Sequence, residues 1–384
     1  MKRIAPLSVV ACFGLLFAAS TCFAQAYKIT DLGPLSPAGI NTWGQVVGNY
    51  NNQAYLWTKR DGMRPLGTLA GGTFSRAAAI NDFGMIAGTA DGSGTAYSLS
   101  YGNYECSDLI QPFVWTHRNG FRTPPVVLDP WRTDVGPSCN FVDYATGIND
   151  LGQVVGRDGP LASYDWAFLW TSADGMTLFG GSFSPTMANA ISNTSQIVGQ
   201  NSIYGNNIGH ATSWKKGVAT DLGSLGGGGD VWQYASSANS VNDLGQVVGW
   251  STIGPLWALG VGLKSPVHAI LWTPSGAIHD LETLPGDTSS AASKINFFGL
   301  VIGSSGNTEY FAWDWAQPFE VVGRPFVWSE RTGMLDLNTL IPGNSGWVLN
   351  SATDINIWGQ IVGDGTLDGQ PHGFLLTPRT LHDF

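Results

Sequence analysis

The sequence predicts an all-β protein, a seven-bladed β-propeller with four-stranded blades. One hairpin motif recurs seven times, two further strand patterns follow most copies, and the segment before the first copy carries a fourth-strand pattern. Four short strands per unit, repeated around an axis, are typical of a propeller. The composition agrees, because 51 Gly, 16 Trp and only 12% charged residues among 384 do not fit a disordered chain.

The hairpin motif begins with an aliphatic residue and usually Asn, continues through two variable residues and often Gly-Gln, and ends on two aliphatic residues and Gly. Asn and Asp bond to turn backbone and Gly supplies positive φ, so we expect a tight turn inside each copy. Small residues before the motif fit a crowded inner strand near the axis. The copies occupy residues 40–48, 80–88, 148–156, 191–199, 241–249, 295–303 and 355–363.

Two more strand patterns complete the units. The third strand usually ends on Trp, as in residues 54–57, and the fourth reads Asp-Leu-x-x-Leu, as in residues 221–225. The seventh unit lacks a fourth strand, but residues 27–35 carry that pattern ahead of the first hairpin. We therefore expect the N-terminal strand to complete the last blade. This closure leaves no open radial edge, and we expect a monomer.

The repeats resemble the HAF family of extracellular repeats, which is named for a His-Ala-Phe stretch. The stretch occurs here in degenerate form, as His210-Ala211, His268-Ala269, Ala167-Phe168 and Gly373-Phe374. The resemblance covers essentially the whole mature chain and implies export and a repeat β fold, but no activity. The departures are Ser192 in place of the turn Asn and a missing fourth-strand pattern near residues 126–128.

The N-terminus has the pattern of a secretory signal peptide. A cationic start and an apolar run over residues 7–19 precede Ala24 and Ala26, which suits a signal with a small-residue cleavage site. The run is too short to span a membrane, which needs about 20 residues. We expect residues 1–26 to be the signal peptide, with cleavage after Ala24 as the alternative, and residues 27–384 to be the propeller domain. The mature protein is then secreted, either extracellular or periplasmic, without membrane insertion.

Cleavage leaves two cysteines, Cys106 and Cys139. In an exported protein we expect them to pair as a disulfide, with two free thiols as the alternative. Two cysteines alone do not make a metal site, and the sequence contains no H-E-x-x-H, P-loop or EF-hand pattern. We therefore expect neither a metal ion nor a cofactor.

Loop lengths distinguish the two faces of the predicted propeller. The turns between strands one and two and between strands three and four are short, and they define the short-turn face. The loops between strands two and three, among them residues 89–110, and the loops between blades vary in length, and they define the long-loop face. Long loops on a rigid scaffold commonly carry binding sites, so we expect a carbohydrate or protein ligand there. Aromatic rings can stack on sugars or anchor a partner, although they can also pin their own loops. The candidate ligand-binding residues are Trp131, Trp250, Trp257, Trp313, Asp314 and Trp315.

Several charged residues hold equivalent repeat positions, for which we expect structural roles. Lys294 and Asp354 immediately precede their motifs in adjacent units. We expect them to lie close together as a structural ion pair, with a catalytic pair as the alternative. Three acids are expected to form the short turns: Asp82, Asp150 and Asp243. Three histidines begin third strands and are expected to be structural: His210, His268 and His372.

These features favour a binding or interaction module over an enzyme. The formal net charge of −10 disfavours a nucleic-acid partner. Loop aromatics and the lack of a catalytic motif favour binding of a polysaccharide, an envelope component or a protein. The alternative is an extracellular propeller enzyme that acts on glycans as a hydrolase or lyase, because the fold alone does not select between binding and catalysis.

Overall fold

The structure, a computed structural model, describes residues 26–98, 102–123, 126–128, 143–158, 166–180, 186–202, 208–226, 234–255, 264–311 and 319–379. Within these residues the chain forms seven β-sheets of four or five strands, arranged as the blades of a propeller. The predicted fold class is confirmed. One 3₁₀ helix, Leu337–Leu340, follows the last strand of the sixth repeat. No helix in this part of the chain is long and apolar enough to cross a membrane.

The first four blades each hold one repeat, with strands in chain order from the axis outward. Blade 1 consists of Ser36–Ile40, Val46–Tyr50, Gln53–Thr58 and Gly62–Gly67. Blade 2 consists of Ser75–Ile80, Ile86–Ser98, Gly102–Thr116 and Gly120–Arg122, with a further strand at Val126–Leu128. Blade 3 consists of Asp143–Ile148, Val154–Asp158, Trp166–Thr171 and Gly175–Phe179. Blade 4 consists of Thr186–Ile191, Ile197–Asn201, His210–Lys215 and Val218–Asp221.

The last three blades follow the same order with two additions. Blade 5 consists of Ser236–Val241, Val247–Thr252, Lys264–Trp272 and Ile278–Asp280. Blade 6 consists of Ser289–Ile295, Val301–Gly306, Gly323–Ser329 and Gly333–Asp336, and Glu309–Phe311 lies between its second and third strands. Blade 7 has a divided inner strand, Trp347–Leu349 and Asp354–Ile355, followed by Ile361–Leu367 and Gln370–Pro378. Its outer strand is Tyr27–Asp31.

The N-terminal strand closes the ring, as the sequence predicts. Tyr27 lies opposite Pro378 and Asp31 lies opposite Phe374 in an antiparallel pair. Tyr27 and Leu35 are fully buried. Closure therefore joins the two ends of the described chain through both backbone pairing and apolar burial.

The hydrophobic core lies between neighbouring blades. One cluster joins Val155 and Ala167 of blade 3 to Ile191 and Trp214 of blade 4. The Gly that ends each motif allows this close packing. A Cβ at Gly156, for example, would collide with the Tyr144 carbonyl oxygen and the Phe168 ring.

Inner strands of six blades carry a β-bulge at the same repeat position, two residues before the motif. In several blades the bulged residue is polar, and its side chain donates a hydrogen bond to a backbone carbonyl of the next blade. Asn189 Nδ2 donates to the Ala238 carbonyl at 2.9 Å, and Asn239 Nδ2 donates to the Ala292 carbonyl at 2.9 Å. A bulge redirects a side chain, so polar residues at this position join one inner strand to the next.

Blade 2 departs from the loop assignment that the sequence suggests. Residues 89–110 were expected as a loop between strands two and three, but the two strands extend to Ser98 and resume at Gly102 as one long hairpin. The expectation is wrong because strand pairing continues past Gly88, the last residue of the motif. The backbone of Cys106 lies in this hairpin, opposite Gly94. Cys139 lies outside the described residues, so the disulfide stays a prediction. Residues 1–25 also lie outside them, so the signal peptide stays a prediction as well.

Candidate functional site

The short turn between strands one and two is built by the motif Asn and Gly. In blade 1, Asn41 Oδ1 accepts the backbone N–H groups of Trp43 and Gln45 at 3.1 and 3.0 Å. Asn41 Nδ2 donates to Gln45 Oε1 at 2.8 Å. Gly44 closes the turn with a φ of 72°, a conformation that favours Gly. The motif thus fixes every turn in one shape and leaves the residue before Gly free to vary.

The same Asn also joins each turn to the next blade. Asn41 Nδ2 donates to the Asn81 carbonyl at 3.1 Å, and Asn356 Nδ2 in blade 7 donates back to the Asn41 carbonyl at 3.0 Å. Equivalent bonds leave every blade except blade 4, where Ser192 replaces Asn. The turns therefore form a nearly complete hydrogen-bonded ring around the propeller axis.

A second set of bonds runs through the residue after Asn. Asp82 accepts the backbone N–H of Thr42 at 2.8 Å and its hydroxyl at 2.6 Å, and Asp150 accepts the N–H of Asp82 at 2.9 Å. Asn193 Nδ2 bridges the carboxylates of Asp150 and Asp243, at 2.9 and 3.1 Å. The acids were expected to form their own turns, but each instead accepts bonds from a neighbouring turn, because the backbone N–H groups of its own turn are bonded by Asn.

These residues surround the mouth of a central cavity of about 260 Å³ on the short-turn face. Three consecutive residues from each of the seven repeats line it, beginning with residues 40–42 of blade 1. Asp82, Asp150 and Asp243 form an arc over blades 2, 3 and 5, with Asn193 of blade 4 between the last two. In the described part of the chain none of these carboxylates forms an ion pair with a cation.

Around this mouth lies a ring of exposed apolar side chains, which we call the apolar ring. Each member stands directly before the turn Gly, and blade 4 has Thr194 at that position. The six side chains are 51–76% exposed. Apolar side chains of this size are seldom exposed together on a protein without a partner. The ring consists of Trp43, Phe83, Leu151, Leu244, Phe298 and Trp358.

The two tryptophans of the ring lean over the next turn. Trp43 Nε1 donates to the Asp82 carbonyl at 2.9 Å, and Trp358 Nε1 donates to the Thr42 carbonyl at 3.1 Å. Their only hydrogen-bond donors are therefore bonded within the protein. What these indoles present to solvent is apolar surface.

Sequence reasoning missed the apolar ring, although its signal is visible in the sequence. The residue before the turn Gly is large and apolar in six of the seven copies, and a solvent-exposed turn does not need such a residue. Loop length, by contrast, favours the other face.

Trp250 is the one predicted ligand-binding residue that the structure describes, and its burial fits the alternative, a ring that packs a loop segment, and not the ligand-binding role. Trp250 is 2% exposed and its ring centroid lies 5.0 Å from those of both Tyr310 and Phe319. It packs the segment between the second and third strands of blade 6 against blade 5. Burial removes both ring faces from a ligand. The others lie outside the described residues and stay predictions: Trp131, Trp257, Trp313, Asp314 and Trp315.

The repeat histidines bond to acids of the neighbouring outer strand, which supports a structural role. His210 Nδ1 lies 3.1 Å from Asp221 Oδ2, and His268 Nδ1 lies 2.9 Å from Asp280 Oδ2. His372 makes the equivalent contact with Asp31 of the N-terminal strand at 2.8 Å. Within the described ranges, no three His, Cys, Asp or Glu side chains are grouped as a metal site would need.

Lys294 and Asp354 are close enough for the lysine charge to act on the carboxyl, but they do not form the predicted ion pair within 4.0 Å. Asp354 instead accepts the N–H groups of Ile355 and of Ile40 in blade 1, each at 2.9 Å. Burial raises the pKa of the Asp354 carboxyl, and the Lys294 charge and these N–H groups oppose the rise. The Asp354 carboxylate thus joins blade 7 to blade 1 and helps to close the ring.

No protein-family model and no curated protein sequence matches the chain. Among solved structures, an oligogalacturonate lyase in complex with manganese is similar, with 12% identity, a TM-score of 0.50, and coverage of 93% of this chain and 95% of that one. A virginiamycin B lyase from Staphylococcus aureus has 9% identity, a TM-score of 0.49, and coverage of 91% and 99%. A gluconolactonase from Xanthomonas campestris has 9% identity, a TM-score of 0.38, and coverage of 93% and 92%. At these identities the likeness concerns the propeller fold alone.

Proposed function

We propose that the protein is a secreted or periplasmic binding module whose partner docks on the apolar ring. The observation that carries this proposal is the exposure of six large apolar side chains around the mouth of the central cavity, which we call the channel mouth. Contiguous exposed apolar surface is typical of interaction sites, and a concave polar centre inside an apolar rim is typical of a site that orients its ligand. The signal-peptide pattern and the resemblance to the HAF family support the exported location.

The turn itself does not account for the ring. Asn and Gly fix the turn, and Thr194 of blade 4 shows that a polar residue is compatible with the position. Ser195 follows it with a φ of 61° in place of Gly. The repeated occurrence of Trp, Phe and Leu before the turn Gly is therefore explained by a function of the exposed apolar surface, and not by the structure of the turn.

The acidic side chains at this mouth support a binding role. Asp82, Asp150 and Asp243 each accept hydrogen bonds from neighbouring turns, so the turns hold these carboxylates in place. Such carboxylates suit recognition of a cation, because their positions are fixed before the ligand arrives.

Site-specific photo-crosslinking tests the proposal. A photoreactive amino acid replaces Phe83, which is 76% exposed on the apolar ring, or Val322, which is 79% exposed on the opposite face. Both variants are expressed in the native host and irradiated. We expect discrete crosslinked species from position 83 and none from position 322. Crosslinks from position 322 alone would contradict the proposal and favour the long-loop face, and none from either position would also contradict it.

A further inference from the structure

We infer that the partner is a protein segment that places one arginine or lysine side chain at the channel mouth, with apolar residues beside it. This inference rests on the proposed function and adds the chemistry of the partner.

The channel mouth has an acidic side and an apolar side. Residues Asp82, Asp150 and Asp243 occupy the position after the motif Asn in blades 2, 3 and 5, whereas Phe297 and Ile357 occupy it in blades 6 and 7. Arg and Lys combine an apolar stem with a charged head. At this mouth the stem of the side chain contacts the apolar side, while the charged head faces the carboxylates. Within the described residues these carboxylates form no ion pair with a basic side chain.

The outer part of the same face has the opposite charge. The turns between strands three and four carry more exposed basic side chains than exposed carboxylates, and Arg60 among them forms an ion pair with the Asp61 carboxylate at 3.1 Å. Like charges placed at an interface disfavour wrong partners and wrong registers. A basic side chain is therefore attracted at the axis and repelled at the outer edge. The exposed basic residues of these turns are Lys59, Arg60, Arg118, Lys215, Lys216 and Arg331, and the exposed carboxylates are Asp174 and Glu330.

A protein segment fits the apolar ring better than a glycan. Sugars need hydrogen-bond partners as well as ring faces, and the indole donors of Trp43 and Trp358 are already bonded to backbone carbonyls. Leu151 and Leu244 offer no aromatic face for stacking. Apolar side chains that flank a basic residue match such a rim around an acidic centre.

A random dodecapeptide library displayed on phage tests the inference. It is selected on the purified protein, on a ring variant with Phe83→Ser and Phe298→Ser, and on Asp243→Asn. The matched control is Asp174→Asn, which removes an exposed carboxylate from an outer turn of the same face. We expect peptides selected on the wild type and on Asp174→Asn to be enriched in Arg or Lys beside apolar residues, and less so on Asp243→Asn.

The best peptide is then compared with its citrulline or norleucine counterpart, which keeps the stem and removes the charge. Loss of a charge-assisted contact should weaken binding about tenfold, and added NaCl should narrow that difference. Because this comparison uses the wild-type protein, it does not depend on whether a variant folds.

Three outcomes overturn the inference. If the peptides that bind the apolar ring show no basic enrichment, the cationic partner is wrong while the proposed function stands. If the ring variant selects the same peptides as the wild type, the peptides bind elsewhere and both proposals fail on this face. If no peptide is selected, a basic, apolar segment is not the partner.

Discussion

At the scale of single residues, the motif Asn carries more interactions than any other repeated side chain. It bonds two N–H groups of its own turn, the Gln that follows and the next blade, as Asn41 does. Blade 4 shows what happens without it. The Ser192 hydroxyl contacts Thr194 and makes no bond to Gln196 Oε1, which is buried without a hydrogen-bond partner, and Gln196 Nε2 donates to Ser213.

Restoring the repeat consensus with Ser192→Asn should stabilise the protein. The new amide should donate to Gln196 Oε1 and to the Asn242 carbonyl of the next blade, which raises the free energy of unfolding by about 1–2 kcal/mol. Urea unfolding measures this change. Ser192→Ala is the control and should lower stability, because the Gln196 N–H loses the Ser192 hydroxyl as its acceptor. A Ser192→Asn protein no more stable than the wild type would show that the missing amide does not limit blade 4.

At the scale of elements, a histidine at the same repeat position of the third strand bonds to the outer strand in three blades. His210 is 2% exposed and bonds to Asp221 at the end of its outer strand. In blade 6 Arg324 replaces His and contacts Asp336 at the same repeat position, at 3.3 Å. The outermost strand has a neighbour on one side only, so this side-chain bond secures its end.

The Asp221 bond should make stability depend on acid pH. Burial would raise the pKa of Asp221, but bonds from His210 and the Gly223 N–H lower it below its ordinary value of 3.8. The carboxylate therefore stabilises the fold above the unfolded pKa, and this contribution is lost as the pH falls through the folded pKa.

Asp221→Asn should lower the free energy of unfolding by about 1–2 kcal/mol at neutral pH and by progressively less toward strongly acidic pH. Urea unfolding across a pH series measures the difference. Glu309→Gln, which changes an exposed carboxylate, should follow the wild-type pH curve. An equal loss of stability from Asp221→Asn at all pH values would exclude an ionised carboxylate as the stabilising partner.

At the scale of the whole molecule, blade 7 holds both ends of the described chain. Tyr27–Asp31 supplies its outer strand, Asp354 bonds to Ile40 of blade 1, and Asn356 bonds to Asn41. These contacts join residues more than 300 positions apart in the chain. Closure at the outer strand and at the axis makes each blade depend on the presence of the others.

Removal of the N-terminal strand should open the ring. A protein that begins at residue 32 loses the partner of Gln370–Pro378 and exposes Phe374 and Leu376, which are otherwise fully buried. We expect a lower midpoint of thermal unfolding and new self-association, because an unpaired strand edge is a template for other chains.

Calorimetry and light scattering measure these two effects. Lys28→Ala, a substitution at an exposed position of the same strand, should leave both unchanged. A synthetic peptide of residues 26–35 added in trans should restore the monomer. A truncated protein that stays monomeric with the wild-type midpoint would show that the strand does not close the ring.

The sequence alone determined the fold and its closure. Hairpin formation depends on local chemistry, Asn bonding to its own turn and Gly at positive φ, so seven copies are readable without a structure. The fourth-strand pattern at residues 27–35 also assigned the N-terminal strand to the last blade, because an incomplete final repeat leaves one place for it.

Tertiary structure alone decided which side chains meet and which stay exposed. Trp250 is buried because Tyr310 and Phe319 of the next blade pack against it, and no local sequence pattern predicts this contact. The turn acids and the apolar ring surround one mouth because seven similar turns, separated by 40 or more residues in sequence, converge on one axis. Convergence depends on the packing between blades. Local rules therefore specify each repeat, and only the closed ring creates the candidate site.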